Sequence, residues 1–414
     1  MDPSRRLLIL GASTRAAAHS AVRAGIQPFC SDIFLDGDLQ AVAEVFPVED
    51  YPRGLTNVAR NVPSSPWMYT GALENHPDII ARISADRPLL GNPPGVLRRV
   101  RDPVHIRKLL VNAGQSSLAL RSGNNPPKPN GQWMLRRRDV AGCSGIHVWN
   151  NETARAIRVN SDNYFQQRVV GTPISALFVS TFDKICLVGM TRQYVGVESV
   201  GAPPFAYCGS LGPIQVCESI QSSIERSGIV IARKCGLRGL FGCDFLLDGT
   251  DAWLTEVNPR YTASVEILEH AFDMPILMWH CQSFAVAGGA FDIQLPDVEP
   301  NSAWDPILRK DPGQFVGKLI LFAVCDIIVP SLEQFIKRNR PQTMPYIADV
   351  PAAGSLIKLG RPICTVLAAG HNTDDCQLKL QQRVCEVSSQ LYGRPCNPFD
   401  HNNCTEIAFE KGNS

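Results

Sequence analysis

Two segments of this chain space polar side chains in a way that suits a hard cation. In Gly242-Cys-Asp-Phe-Leu-Leu-Asp-Gly249 a carboxylate, Asp244, precedes an Asp-Gly turn. In Leu254-Thr-Glu-Val-Asn-Pro-Arg260 a second carboxylate, Glu256, is followed two residues later by Asn258. Alternation along a strand puts Glu256 and Asn258 on one face, and a hairpin closing at Asp248-Gly249 brings Asp244 beside them. Three such oxygen donors suit Mg²⁺ (or Mn²⁺) that keeps water and phosphate oxygens as its other ligands. Pro259 ends the strand, and Arg260 aims a fork-shaped cation, fit for an oxyanion, at the same region. An isolated Glu-x-Asn would more simply be a surface hairpin with solvated acids, so the reading depends on what lies upstream.

Upstream, Arg136 ends an apolar strand and Ala141-Gly-Cys-Ser-Gly-Ile146 supplies a glycine-rich turn. Backbone N–H groups around Gly142 and Gly145 can approach phosphates, with Arg136 as the cation that holds them. The turn taken alone reads equally as an ordinary β-hairpin. Tyr164-Phe-Gln-Gln-Arg-Val-Val-Gly171 is a strand that stops at a glycine. Its Gln167, Arg168 and Val169 can offer a backbone edge to a purine base.

These residues need a scaffold, and the rest of the chain outlines one. Leu7-Leu-Ile-Leu10, an Ala-rich stretch stopped by Gly25 and a second apolar step to Asp32 read as strand, helix, strand, which opens a parallel α/β sheet. Another strand at 67–70 and a helix from Pro77 follow, closing on Leu89-Leu-Gly-Asn-Pro-Pro94, where paired prolines mark a boundary. Residues 103–114 read as a helix and 122–131 as an exposed loop. Short strands at 133–138, 146–149, 164–170 and 175–182 suggest an antiparallel layer. Helices are expected at 216–235 and over 263–287, a connector at 288–312, and strands with one final helix, near 373–392, thereafter.

Composition agrees with a folded protein of more than one core: 414 residues, 44% hydrophobic and 19% charged. Forty basic against thirty-nine acidic residues leave no excess charge for neutralising a nucleic-acid backbone. Fourteen cysteines are scattered without a Cys-x-x-Cys pair, several inside apolar runs such as Lys184-Ile-Cys-Leu-Val188, and are expected as reduced core thiols. Met1-Asp-Pro-Ser-Arg-Arg passes directly into a strand, and no apolar stretch reaches bilayer-spanning length. A cytoplasmic protein, with no nucleic-acid or membrane partner, is the expectation.

Phosphate loop, base-binding strand and metal hairpin, in that order, resemble the ATP-grasp superfamily. The chain also resembles a narrower group, the predicted ATP-dependent carboligases or carboxylate–amine ligases related to biotin carboxylase. Supporting segments are Leu10-Gly-Ala-Ser-Thr-Arg-Ala16 with Asp32, Gly71-Ala-Leu-Glu-Asn75, Leu90-Gly-Asn92, Ala348-Asp-Val-Pro-Ala-Ala-Gly354 and Gly360-Arg-Pro-Ile-Cys-Thr-Val-Leu-Ala368. The resemblance implies an α/β (α+β) ATP-grasp fold. A Rossmann-like pre-ATP-grasp domain would occupy 1–95 and the ATP-grasp domain 96–300, with its lid at about 130–175 and metal hairpin at 242–260. A β-rich segment, 301–414, would pack on that domain. Asp244, Glu256 and Asn258 would bind magnesium, Arg136, Gly142, Gly145, Gln167, Arg168 and Val169 would bind ATP, and Arg260 would act on the reacting carboxylate. The chain departs from the family pattern at Arg136-Arg137, where Lys-Pro is usual, at Gln167, where an acid is usual, and at Cys143, where glycine is common.

The implied reaction phosphorylates a small-molecule carboxylate, and an amine then attacks the acylphosphate, forming an amide of the kind found in cofactor building. Arg192 and the Gly-rich stretch Tyr207-Cys-Gly-Ser-Leu-Gly-Pro213 would line the acceptor side, and core or loop roles fit them equally. Related ligases imply a possible homodimer. Two rivals compete with this reading. Gly11-Ala-Ser-Thr-Arg-Ala16 with Asp32 has the spacing of an NAD-binding oxidoreductase, though Ser13 stands where the second glycine would let a pyrophosphate approach. The departures at Arg136 and Gln167 admit a non-catalytic ATP-binding protein.

Overall fold

A computed structural model describes residues 5–138, 145–182, 184–284, 312–339 and 343–393. The N-terminal unit is a parallel sheet of β1 (Arg6–Leu10), β2 (Gln27–Ser31), β3 (Glu44–Val45) and β4 (Trp67–Tyr69), in the order β3-β2-β1-β4. Leu7 through Leu10 are all buried, as expected of a strand covered on both faces. The helix Arg15–Arg23 follows β1, and Gly25 after it adopts φ +71°, where only glycine is unstrained. Gly11 is required by packing, since a Cβ there would lie 2.0 Å from the Thr70 hydroxyl oxygen.

A small antiparallel sheet follows, built from β5 (Leu120–Ser122), β6 (Asn130–Arg137), β7 (His147–Asn150) and β8 (Asn163–Gln167) in the order β5-β8-β6-β7. Leu135, Trp149 and Phe165 form its own core, with the Trp149 and Phe165 rings 4.9 Å apart. The largest sheet takes β9 (Thr172–Ser180), β10 (Ile185–Val195), β11 (Tyr207–Gly212), β12 (Gly239–Leu247), β13 (Ala252–Asn258) and β14 (Phe315–Phe322). After the short β15 (Ile327–Ile328), β16 (Ile347–Ala348) joins it, as does β18 (Pro362–Gly370); β17 (Leu356–Ile357) pairs with β15 instead. The large sheet runs β13-β12-β9-β10-β11-β14-β18-β16, antiparallel throughout. β14, β16 and β18 therefore extend the sheet that carries the hairpin β12–β13.

Alternation along β9 assigns the two faces. Ile174, Ala176 and Phe178 meet the helix Glu218–Cys235, whereas Leu177 and Val179 join the core under Ala263–Phe272, Leu277–Gln282 and the N-terminal helix. The final helix, Thr373–Tyr392, buries Cys376, Leu380, Val384, Val387 and Leu391, a helical stripe against the far end of the sheet.

The boundaries expected at 103–114, 216–235 and 373–392 appear as Pro103–Asn112, Glu218–Cys235 and Thr373–Tyr392. Residues 207–213, which read as a glycine-rich stretch, are mostly strand β11: a Cβ at Gly209 would sit 2.1 Å from the Lys318 carbonyl oxygen, so glycine there permits close strand pairing. The helical run from 263 is broken at Asp273, which adopts φ +51° two residues before Pro275. Most of the expected connector 288–312 lies outside the described residues. Among the described residues no cysteine is in a disulfide, and Cys30, Cys208, Cys235, Cys243, Cys281, Cys364 and Cys376 are buried. Among the described residues no helix is long and apolar enough to cross a membrane.

A buried ionic junction joins the three parts of the chain. Arg15, 2% exposed, pairs with Glu266 on the helix Ala263–Phe272, with Asp349 at 2.9 Å and with Asp38 at 3.6 Å. Lys318 on β14 completes Glu266 at 2.9 Å. Charges this deep persist only when paired and hydrogen-bonded.

Candidate active site

The site is built around the edge hairpin β12–β13. Asp244 lies directly opposite Glu256, and Gly242 opposite Asn258, with a bulge after Asp244. The bulge leaves Thr255 without an opposite residue, and its hydroxyl donates to the Asp244 carbonyl at 3.0 Å. Asn258 Nδ2 donates to Asp244 Oδ2 at 2.9 Å, and Gln193 Nε2 on β10 donates to Asp244 Oδ1 at 3.1 Å. Arg260 Nη2 donates to Asn258 Oδ1 at 3.1 Å. Of the four residues read from the sequence as metal ligands and oxyanion cation, Asp244, Asn258 and Arg260 are thus hydrogen-bonded in one cluster, and Glu256 stands opposite Asp244 in the ladder.

Two arginines hold Glu256. Arg101 Nη1 donates to Oε1 at 2.6 Å and Arg136 Nη2 to Oε2 at 3.2 Å. Arg136 also donates to Gln166 Oε1 at 2.9 Å and to the Thr255 carbonyl at 3.1 Å, so its fork ties the small sheet to the hairpin. Arg101 spans outward to Asn75 Oδ1 at 2.8 Å. The neighbouring Glu74 accepts from Arg260 Nε at 2.9 Å. One N-terminal turn, Glu74-Asn75, therefore grips an arginine on each flank of the hairpin.

The electrostatics follow from this pairing. Burial, then the charge of Glu256, raises the Asp244 carboxyl to about 6. Burial also disfavours ionised Glu256, but Arg136 and Arg101 outweigh it and hold that carboxyl below its ordinary range. Among the described residues no three His, Cys, Asp or Glu side chains cluster to hold a metal by themselves. Two carboxylates and an amide are the donor set of an ion that takes most of its ligands from phosphate and water, and in that sense the residues fit magnesium.

A cleft of about 600 Å³ lies between the hairpin and the small sheet. Its walls include Arg136, Gln167, Arg168, Val169, Asp244, Glu256, Asn258 and Arg260, eight of the ten residues singled out from the sequence. Gly145, at φ +84° against the Arg137 side chain, is not on these walls, although Ile146 beside it is; Gly142 lies outside the described residues. Strand β8 ends at Gln167 and β9 begins at Thr172, leaving Val169 and Val170 outside strand pairing. Arg192 does not line the cleft, whereas Gln193 and Tyr207 do. Sequence reasoning assigned no role to Glu74, Arg101, Gln166 or Gln193. For Glu74 the one signal was its place in Gly71-Ala-Leu-Glu-Asn75, quoted only for its resemblance.

The rival dinucleotide reading loses its acid. Asp32 is 1% exposed and accepts from the Thr14 backbone N–H and hydroxyl, each at 2.9 Å, and from the backbone N–H groups of Phe34 and Leu35 at 3.0 Å. Its carboxylate closes the turns at the ends of β1 and β2 and is not displayed for a ribose.

Residues 120–264 match the family described as the ATP-grasp domain. No curated protein matches the sequence. N5-carboxyaminoimidazole ribonucleotide synthetase from Thermus thermophilus is similar with a TM-score of 0.64 at 15% identity, over 94% of this chain and 100% of that one. An L-amino acid ligase from Bacillus licheniformis gives 0.66 at 14% identity, over 92% and 96%. The biotin carboxylase domain dimer of Hydrogenobacter thermophilus 2-oxoglutarate carboxylase, in complex with MgADP, ADP and bicarbonate, gives 0.67 at 11% identity, over 92% and 89%. The matched segment holds both the small sheet and the hairpin, and the chain carries an ATP-grasp domain within an overall ATP-grasp fold.

Proposed function

We propose that the protein is an ATP- and magnesium-dependent ligase that joins a small-molecule carboxylate to an amine through an acylphosphate. The observation that carries this reading is the convergence of Asp244, Glu256, Asn258 and Arg260 on one wall of a cleft whose other walls include Arg136 and the unpaired edge at Val169. The similar folds of an L-amino acid ligase and of a biotin carboxylase domain in complex with MgADP support it.

Asp244, Glu256 and Asn258 would hold magnesium, which in such sites offsets charge on the β- and γ-phosphates. The Val169 edge receives the purine, and Arg136, on the strand beside Gln166, faces the phosphates. Arg260, kept charged in spite of its burial by Glu74, orients the substrate carboxylate. A carboxylate oxygen attacks the γ-phosphorus, and the bond to the ADP oxygen breaks with its electron pair on ADP. The amine nitrogen, having lost one proton from its ammonium form, bonds to the acyl carbon as the carbon–oxygen bond to phosphate breaks. A second proton then leaves the nitrogen, giving the amide. The small sheet over residues 120–167 serves as the lid that keeps water from the acylphosphate.

Purified protein with Mg-ATP, screened against carboxylic acids paired with amines, is expected to release ADP and phosphate. Release of AMP and pyrophosphate would overturn the acylphosphate route. Tight Mg-ATP binding without turnover on any pair would point to the non-catalytic nucleotide-binding role.

A further inference from the structure

Glu74 is an N-terminal residue with half of its carboxylate unexplained. It is 3% exposed and lines the cleft. Oε1 accepts from Arg260 Nε, whereas Oε2 has no hydrogen-bond partner among the described residues. A buried carboxylate oxygen without a donor is costly, and a native site that keeps one calls for a ligand.

Thr262, which lines the same cleft, shows the same deficit. It occupies the position before the helix Ala263–Phe272, where a threonine hydroxyl ordinarily accepts from the first-turn N–H groups, yet it makes no such cap. Its Oγ1 has no partner among the described residues, and the residue, 7% exposed, also lines the cleft. The backbone holds Glu74 in place at some strain: Ala72 adopts φ +74°, a left-handed conformation that a residue with a Cβ disfavours. Gly71 lies under the Arg260 guanidinium, where a Cβ would make an ordinary contact 3.5 Å from its central carbon.

One carboxylate with a hydroxyl is a poor site for a divalent metal and a good one for an N–H donor carrying a single positive charge. On the ligase reading above, on which this inference rests, that donor is the attacking group. We propose that Glu74 and Thr262 form the amine subsite, in which Glu74 Oε2 and Thr262 Oγ1 accept hydrogen bonds from the primary ammonium of the second substrate. Arg260, proposed to orient the substrate carboxylate, donates to the other oxygen of the same Glu74 carboxylate at 2.9 Å, so one carboxylate would link recognition of the amine to alignment of the acid.

The test separates recognition from the support that Glu74 gives Arg260. Glu74→Gln retains an oxygen to accept from Arg260 Nε but places an NH₂ donor where Oε2 stood, and this repels an ammonium. Thr262→Val removes the hydroxyl at nearly constant volume. Probes are the twenty L-amino acids, putrescine and cadaverine, titrated into Mg-ADP-loaded protein and followed by calorimetry, with folding of each variant checked by circular dichroism. At least one probe is expected to bind the wild type. Its Kd should rise about tenfold or more in Glu74→Gln and about threefold in Thr262→Val, with the Kd for Mg-ADP changed less than twofold. An unchanged amine Kd in Glu74→Gln, equal losses of amine and Mg-ADP binding, or no amine binding to wild type would each overturn the subsite. Failure of Mg-ADP to bind the wild type would instead overturn the ligase reading.

Discussion

Glu256 is the residue on which the candidate site turns, because it is both a proposed metal donor and the meeting point of Arg101 and Arg136. Glu256→Gln retains the shape but removes the charge, leaving two arginines around a neutral amide. Turnover should fall by about a hundredfold or more with the circular dichroism spectrum unchanged, as expected for loss of one electrostatic group in a reacting centre. Arg136 offers a sharper test of the departure from lysine. Its fork reaches Gln166, the Thr255 carbonyl and Glu256 at once, a geometry that an ammonium cannot reproduce. Arg136→Lys should therefore raise the KM for ATP by about tenfold in an ADP-release assay; an unchanged KM would show that charge alone suffices. At this scale the pair Asp244 and Glu256 was legible in the sequence, because the two are neighbours across one hairpin. Glu74 and Arg101 were not, since their partners Arg260 and Glu256 lie 186 and 155 residues away along the chain.

The element that matters most for access is the junction of β8 with β9. Gly171 lines the cleft there, and a Cβ on it would meet the Leu247 carbonyl oxygen at 2.4 Å, a backbone atom that cannot swing aside. Gly171→Ala is expected to cost about 1–3 kcal/mol by overpacking, seen as a lower denaturation midpoint together with weaker Mg-ATP binding. Gly249, at φ +99° with open space around it, is the contrast: alanine there meets only backbone strain. Period-two patterning and turn residues located most of these strands. It failed at β11, where small residues needed for close strand approach look like a loop when read in isolation.

Across the whole molecule, the buried junction of Arg15, Glu266, Lys318, Asp38 and Asp349 welds the N-terminal unit to the large sheet. Burial opposes ionisation of Glu266, but Arg15 and Lys318 pull its carboxyl well below the usual range. A carboxyl with a depressed native pKa contributes stability at neutral pH and loses it as pH falls through that native value. Glu266→Gln leaves two buried cations undercompensated and should destabilise the fold by about 3–5 kcal/mol at neutral pH, with a smaller deficit in strong acid. Urea denaturation at several pH values checks both parts; equal stability of the variant at pH 7 would show that the junction contributes little.

What the sequence determined alone was whatever depends on neighbours: the β1–helix–β2 opening, the hairpin that gathers Asp244, Glu256 and Asn258, and the final helix near 373–392. Each follows from a periodicity or a turn within a few tens of residues, where the chain has little choice of partner. Tertiary structure alone decided that Asp32 is consumed by backbone N–H groups and that Glu256 is shared by two arginines. It also left Glu74 Oε2 and Thr262 Oγ1 without partners among the described residues. The physical reason is common to all three: the state of a buried polar atom is set by which distant group fills the next few ångströms, and that depends on how the sheets are stacked.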